Sequence, residues 1–260
     1  MSAMGLTGFA LRFAAPAPKV EQFKRCLFLG PHPDDIEIGA GATAAKLAAA
    51  GKAVTFLICT DGRYGLEHAP AGTTPEQLAE LRRAEAIASA KALGVEDVRF
   101  LELSDGGFYD FDELLRRAAR AVGEIRPQLI FAPDPDVGRE CHVDHRRVGE
   151  CAKRLAFFAP YAEIMARYEA AAAPVEALAF YMTAKPNRFV ETRGLLPRQL
   201  EAIFGCHKSQ FPPGCADAKS ISLYLRLRSA DFGLRRLCGA AEGFRVLGRT
   251  QMHCLPEAGK

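Results

Sequence analysis

Between residues 26 and 157, four short apolar runs alternate with four stretches of helical pattern, and few architectures accept that alternation. The runs are Cys26-Leu27-Phe28-Leu29, residues 54–58, residues 98–101 and Leu129-Ile130-Phe131-Ala132. Gly30-Pro31 closes the first, Thr60-Asp61-Gly62 the second, and Pro133-Asp134-Pro135-Asp136 the last. Short apolar runs bounded by turn residues read as buried strands. Helical pattern fills 36–50, 75–93, 111–125 and 143–157. The second of these carries the clearest signals. Thr74 is placed to cap it, Pro75 to take its first position and Gln77 to complete a capping box, while Gly94 stops it. This order predicts an α/β fold with a Rossmann-like, doubly wound, mainly parallel sheet. The remainder is less regular, with strands expected at 177–181 and 189–192 and helices at 197–204 and 220–237. No internal repeat or linker divides the chain. A single domain over 23–260 is expected behind an N-terminal arm, 1–22.

Bulk composition excludes more than it assigns. With 49% hydrophobic and 25% charged residues among 260, the chain can bury one large core, and long disorder is not expected. A net charge of +3, without a long lysine or arginine tract, gives no reason to expect nucleic acid as a partner. No run approaches the ~18 apolar residues that a membrane helix needs. The N-terminal apolar stretch lacks a basic region before it and is interrupted by Arg12, which argues against a signal peptide. The eight cysteines contain no C-x-x-C pair, so neither a zinc ribbon nor a disulfide framework is expected. Free thiols in the reducing cytoplasm are the corresponding expectation.

In a doubly wound sheet, ligands bind beyond the carboxyl ends of the strands. That rule selects the loops 30–35, 60–65, 104–107 and 132–145. Two clusters fall inside them: Pro31-His32-Pro33-Asp34-Asp35, and His142-Val143-Asp144-His145. Imidazole and carboxylate are zinc ligands, and a catalytic site uses three of them with one position open. Prolines 31 and 33 stiffen the first loop. Adjacent aspartates repel each other without a cation, and their side chains leave the backbone in different directions. One can bind a metal while the other faces the open position as a general base. Taken singly, each cluster could instead start a helix, where acidic side chains satisfy free N–H groups. Two such loops at one functional edge are harder to explain as unrelated caps.

H-P-D-D-x-E ahead of a small-residue helix, with a later H-x-D-H, resembles the PIG-L-like (LmbE-like) zinc N-deacetylases. Further matching segments are Thr60-Asp61-Gly62, the Arg83/Glu85 helix ending at Leu93-Gly94, Asp105-Gly106 and Cys206-His207-Lys208-Ser209-Gln210. The resemblance implies that His32, Asp35 and His145 hold the zinc. It implies that Asp34 takes a proton from the attacking water and returns one to the leaving amine. His142 matches the imidazolium that stabilises the oxyanion, and Asp144 the carboxylate that orients and charges it. Arg63 and Asp105 fall where relatives place sugar-contacting residues, although a solvated loop arginine and a turn aspartate read equally well. Cys141, beside His142, reads as a structural thiol, and His207 as a structural or interface residue. Pro31 in place of the usual alanine, and Ala40 and Ala42 around Gly41, depart from the family without touching a ligand.

A dinucleotide-binding reading of Gly39-Ala40-Gly41-Ala42-Thr43-Ala44 fails on position, because those glycines should make the turn directly after the strand. A non-catalytic, sugar-binding relative would be expected to have lost one of the site residues, and none is lost. The activity the resemblance implies is zinc-dependent hydrolysis of the N-acetyl group of an N-acetylglucosamine-like sugar or glycoside. Amidase action on a larger acyl group is the alternative within the same chemistry. Fe2+ suits the same ligand set. The resemblance also implies a homo-oligomer acting on a small amino sugar.

Overall fold

The sheet predicted from the alternating runs is present and, among the described residues, extends to seven strands. The structure, a computed structural model, describes residues 6–253. Its strands are β1 (Arg25–Gly30), β2 (Ala53–Thr60), β3 (Asp97–Leu103), β4 (Leu129–Pro133), β5 (Ala177–Tyr181), β6 (Arg188–Glu191) and β7 (Ala241–Gly248). Their order is β3-β2-β1-β4-β5-β7-β6. The first five pair in parallel, and β7 runs antiparallel between β5 and β6. The helices are α1 (Leu6–Ala14), α2 (Asp35–Ala49), α3 (Pro75–Leu93), α4 (Phe111–Ile125), α5 (Val143–Phe158), α6 (Ala162–Arg167), α7 (Leu196–Leu200) and α8 (Ala216–Arg236).

The central strands are buried on both faces, which is why they read as unbroken apolar runs and not as alternation. Phe28, Phe56 and Phe131 point to one side and pack with α2 and α3. Leu27, Leu29, Leu57 and Ile130 point to the other and pack with α4 and α5. The Phe28 and Phe131 rings stack at 4.0 Å across the β1–β4 pair. At α3 the capping box forms as expected: Gln77 N donates to Thr74 Oγ1 at 3.3 Å, and Thr74 N to Gln77 Oε1 at 3.0 Å. Gly94 follows in the left-handed region, φ 83°.

Three features depart from expectation. Strand β7 was not anticipated, because Glu242, Gly243 and Arg245 break its apolar pattern. The expected arm contains helix α1, and its residues 1–5 lie outside the described ones. The helix expected over 197–204 is the short α7 running into a π-helical turn, Glu201–Cys206. Among the described residues no helix is long and apolar enough to cross a membrane.

Strand β1 has β2 on one side and β4 on the other, so the chain reverses its direction of progress there. The loops leaving β1 and β4 therefore flank one crevice at the carboxyl edge. Those are the two loops that carry the His/Asp clusters.

Candidate metal centre and active site

Pro31 fixes the start of the first loop: its carbonyl accepts from Thr60 N at 2.9 Å and from Thr60 Oγ1 at 2.8 Å. His32 follows and is 8% exposed. Its backbone N–H donates to Asp35 Oδ2 at 2.9 Å, and its Nδ1 lies 3.0 Å from the same oxygen. Its Nε2 lies 3.1 Å from Asp144 Oδ2. From α5, His145 brings Nε2 to 3.3 Å from that Asp35 oxygen, while Glu140 Oε2 holds its Nδ1 at 3.1 Å. One carboxylate oxygen thus sits between two imidazoles from opposite sides of the crevice.

His142 caps α5. Asp144 N donates to its Nδ1 at 3.3 Å, which leaves Nε2 as the nitrogen able to carry a proton in the neutral ring. Its ring stands 4.5 Å from that of His32 and 5.0 Å from that of His145. His32, His142 and His145 offer ligand atoms within 4.8 Å of one another and form a group that could hold a metal ion. The described cysteines are free thiols, and Cys141 is exposed and not part of this group; Cys254 lies outside the described residues.

Asp34 occupies the helix cap of α2 at φ 126°, a conformation that costs an L-residue energy. Arg82 donates to Asp34 Oδ2 at 3.1 Å, to the Pro33 carbonyl at 2.8 Å and to the Gly62 carbonyl at 3.0 Å. Burial pushes the Asp34 pKa up to about 6, with Arg82 pulling down and Asp35 adding to the rise. Burial also opposes the Asp35 charge, but His145 and His32 overcome it and hold its pKa well below the carboxylate range. His32 is raised to about 10 and His145 to about 9, each against burial, by the carboxylates around them. His142 moves the other way, lowered by burial and by the charges of the other two rings.

Asp144 is fully buried. Its Oδ2 accepts from Gly106 N at 2.8 Å and faces His32, and lies 3.7 Å from His142 Nδ1. The carboxylate therefore engages His32 more closely than the His142 it was expected to orient. Asp105 is buried, accepts from Tyr64 N at 3.3 Å through Oδ2, and leaves Oδ1 without a partner. Burial raises its pKa, against the charge of His32. Together with His32, Asp34, Arg82 and His142 it lines a cavity of about 310 Å³. Arg63 does not reach this cavity. It is held by Asp61 at 2.6 Å and by Glu76 at 3.5 Å and lines a neighbouring one.

Sequence reasoning missed Arg82 and Glu140. Arg83, in the segment that matches the family, pairs at the surface with Glu102, whereas the preceding Arg82 faces the site. Spacing does not separate the two, since Arg82 stands three residues before Glu85 and Arg83 three after Glu80; in the fold it is Arg82 and Glu85 that are buried. Glu85 accepts from Ser209 N and Oγ, and Glu37 contacts both Ser89 and the fully buried His207. These contacts tie the C-terminal segment to the back of the site.

The family profile of PIG-L, GlcNAc-PI de-N-acetylase, matches residues 27–156. The diacetylchitobiose deacetylase of Thermococcus kodakarensis is 30% identical over 240 residues, covering 90% of this chain and 87% of that one. A 1D-myo-inositol 2-acetamido-2-deoxy-alpha-D-glucopyranoside deacetylase of Kineococcus radiotolerans is 34% identical over 67% of this chain, which spans 55% of that longer protein. Among solved structures, N,N'-diacetylchitobiose deacetylase from Pyrococcus horikoshii superposes with a TM-score of 0.84 at 29% identity, covering 95% of this chain and 93% of that one. The chain belongs to the PIG-L family.

Proposed function

We propose that this chain is a zinc-dependent N-deacetylase that hydrolyses the acetamide of an N-acetylglucosamine-like sugar to acetate and a free amine. The observation that carries the proposal is the convergence of His32 Nδ1 and His145 Nε2 on one Asp35 oxygen, at 3.0 and 3.3 Å. Each of these separations is close to the roughly 3.3–3.5 Å between neighbouring ligand atoms of a tetrahedral zinc with bonds of about 2.0–2.2 Å. His142 is the competing third ligand. Its Nδ1 already accepts from the Asp144 amide, which favours Asp35. The N/O donor set suits Zn2+ and also admits Fe2+.

A divalent ion held there supplies Lewis acidity to the amide carbonyl and to water. Asp34 takes the proton of the attacking water as the C–O bond forms, and delivers one to the nitrogen as the C–N bond breaks. A pKa near 6 suits both transfers near neutral pH, and Arg82 fixes the carboxylate in place. His142 donates from Nε2 to the oxygen that becomes negative. The unpartnered Asp105 Oδ1 accepts from a sugar hydroxyl, since a buried acceptor left unpaired favours a ligand that pairs it. Arg63 contacts only a substrate long enough to extend toward the neighbouring cavity.

Relatives named for chitobiose and inositol-glycoside deacetylation support an amino-sugar substrate. A homo-oligomer belongs to the same proposal, supported by the leucines that α8 leaves exposed. So does a cytoplasmic setting, with which free thiols agree. The test is metal content of the purified protein, with amine release from N-acetylglucosamine and N,N'-diacetylchitobiose followed through chelation and zinc add-back. About one zinc per chain and metal-dependent release are expected. Release that survives complete metal removal would overturn the proposal.

A further inference from the structure

Glu140 does not line the cavity, yet it holds both histidines at the start of α5. Its Oε1 accepts from the His142 backbone N–H at 2.8 Å, and its Oε2 lies 3.1 Å from His145 Nδ1. Its own N–H donates to the Val137 carbonyl at 3.0 Å, so the carboxylate leaves from a closed turn. The loop around it supplies little else. Gly138, Arg139, Cys141 and His142 are exposed, and a Cβ on Gly138 would meet nothing within 4 Å. A segment with so little packing is held by its hydrogen bonds.

An ionised carboxylate only accepts, so the proton of a neutral His145 ring sits on Nδ1, and the lone pair of Nε2 is left on the side of Asp35. His142 is arranged in the opposite sense, with Nδ1 accepting from Asp144 N and the proton on Nε2. Two rings three residues apart are thereby given different nitrogens to present, one a lone pair and the other an N–H. Glu140 bears on both. It acts on His145 through the ring, and on His142 through the backbone that seats it as the helix cap.

We propose that Glu140 is a positioning residue for the metal centre: it selects the His145 tautomer that offers Nε2 as a ligand, and it seats His142 at the cavity wall. This rests on the zinc deacetylase reading above and adds to it a carboxylate that touches neither ion nor substrate. A carboxylate that accepts from the far nitrogen of a ligating imidazole fixes the ring and raises its basicity, and losing one costs roughly 10- to 100-fold in metal affinity.

The test measures zinc affinity by competition with a chelating dye, for the full chain and its Glu140→Ala, Glu140→Gln and Arg139→Ala variants. Glu140→Ala is expected to weaken zinc binding about 10- to 100-fold. Glu140→Gln keeps one acceptor oxygen and should recover part of that loss, while Arg139→Ala, in the same loop, should bind zinc as the wild type does. Long-range proton–nitrogen NMR of the zinc-loaded chain should show the His145 Nδ1 proton in slow exchange with water, and in fast exchange in Glu140→Ala. On N,N'-diacetylchitobiose, kcat of Glu140→Ala should fall roughly 10-fold with KM little changed, because Glu140 touches no substrate. Affinity, proton exchange and kcat unmoved by Glu140→Ala, or moved equally by Arg139→Ala, would overturn the role of Glu140 and leave the deacetylase reading standing. A wild type that binds zinc and releases no amine would sink the deacetylase reading alone, since the affinity series still decides Glu140. A wild type that takes up no zinc would sink both.

Discussion

Arg82 donates from one guanidinium nitrogen to both the Asp34 carboxylate, at 3.1 Å, and the Pro33 carbonyl, at 2.8 Å. The arginine therefore fixes the loop and biases the titration of the carboxylate it holds. It pulls the Asp34 pKa down against burial. Without it the carboxyl stays protonated to higher pH. A general base works in its ionised form, so Arg82→Met should move the acidic limb of the kcat/KM profile toward alkaline pH and reduce activity at pH 7 by ~10-fold. A limb left in place would show that Arg82 has no electrostatic role.

Asp34 itself is tested by Asp34→Ala. Arg82 holds this carboxylate, while Asp35 is the one between His32 and His145, so the variant should keep its metal while losing at least ~10² in rate, as expected for a missing general base. Metal content by elemental analysis and rate by amine release separate the two properties. Wild-type turnover would remove Asp34 from the mechanism.

Asp35 and His142 compete for the third ligand position, and substitution decides between them. Asp35→Ala should lose zinc on dialysis and lower Tm, because an ion bound only by the folded state stabilises it by mass action. His142→Ala should retain zinc and lose ~10² in kcat, as for removal of an oxyanion donor. The opposite pattern would make the metal site the three-histidine cluster.

Helix α8 leaves Leu227 63% and Leu234 73% exposed, with Leu223 one turn before Leu227 on the same face. A repeat of seven residues between Leu227 and Leu234 is the spacing of a helix-packing seam. Leu227→Glu with Leu234→Glu should convert an oligomer to monomer in light scattering and leave the monomer folded by circular dichroism. A wild-type chain that is already monomeric at micromolar concentration would refute self-association through this helix.

Much of this fold was legible because its central strands and helices follow local rules. Apolar runs, the Thr74 and Gln77 capping box and Gly94 all mark their elements independently of tertiary context. The residues of the two clusters were legible as types, and the β-α order placed them at one edge. What was not legible depends on contacts between distant segments. Nothing local announces that Arg82 and not Arg83 lies behind Asp34, or that Asp144 engages His32 before His142. Strand β7 was invisible because Glu242 and Arg245, buried or half-buried by their partners, read as surface charge. The glycines at 39 and 41 raised a dinucleotide-binding pattern for a packing reason. A Cβ on Gly39 would meet the Tyr181 ring at 2.2 Å, and one on Gly41 would press on Gln199 at 3.1 Å.

Glu242 gives the last prediction, because its carboxylate mends a break in α2. Ala40 leaves the helical region, φ −154°, and the N–H groups it frees at Ala42 and Thr43 donate to Glu242 at 3.2 and 2.7 Å. Gln199 Nε2 donates to the same carboxylate at 3.0 Å. Burial raises its pKa from 4.5 to about 7, with these hydrogen bonds resisting the rise. A carboxyl whose pKa is higher folded than unfolded binds more protons in the folded state. Its contribution to stability is therefore complete below about pH 4.5 and is lost as pH rises through 7. Glu242→Gln cannot titrate. It should carry a pH-independent penalty, since an amide –NH2 would replace one acceptor oxygen, and should close the gap on wild type as pH rises from 5 to 8. Urea midpoints at pH 5, 7 and 8.5 measure that difference. A constant difference across the three would mean that Glu242 stays ionised throughout, and that the break is capped by a carboxylate whose burial the hydrogen bonds fully offset.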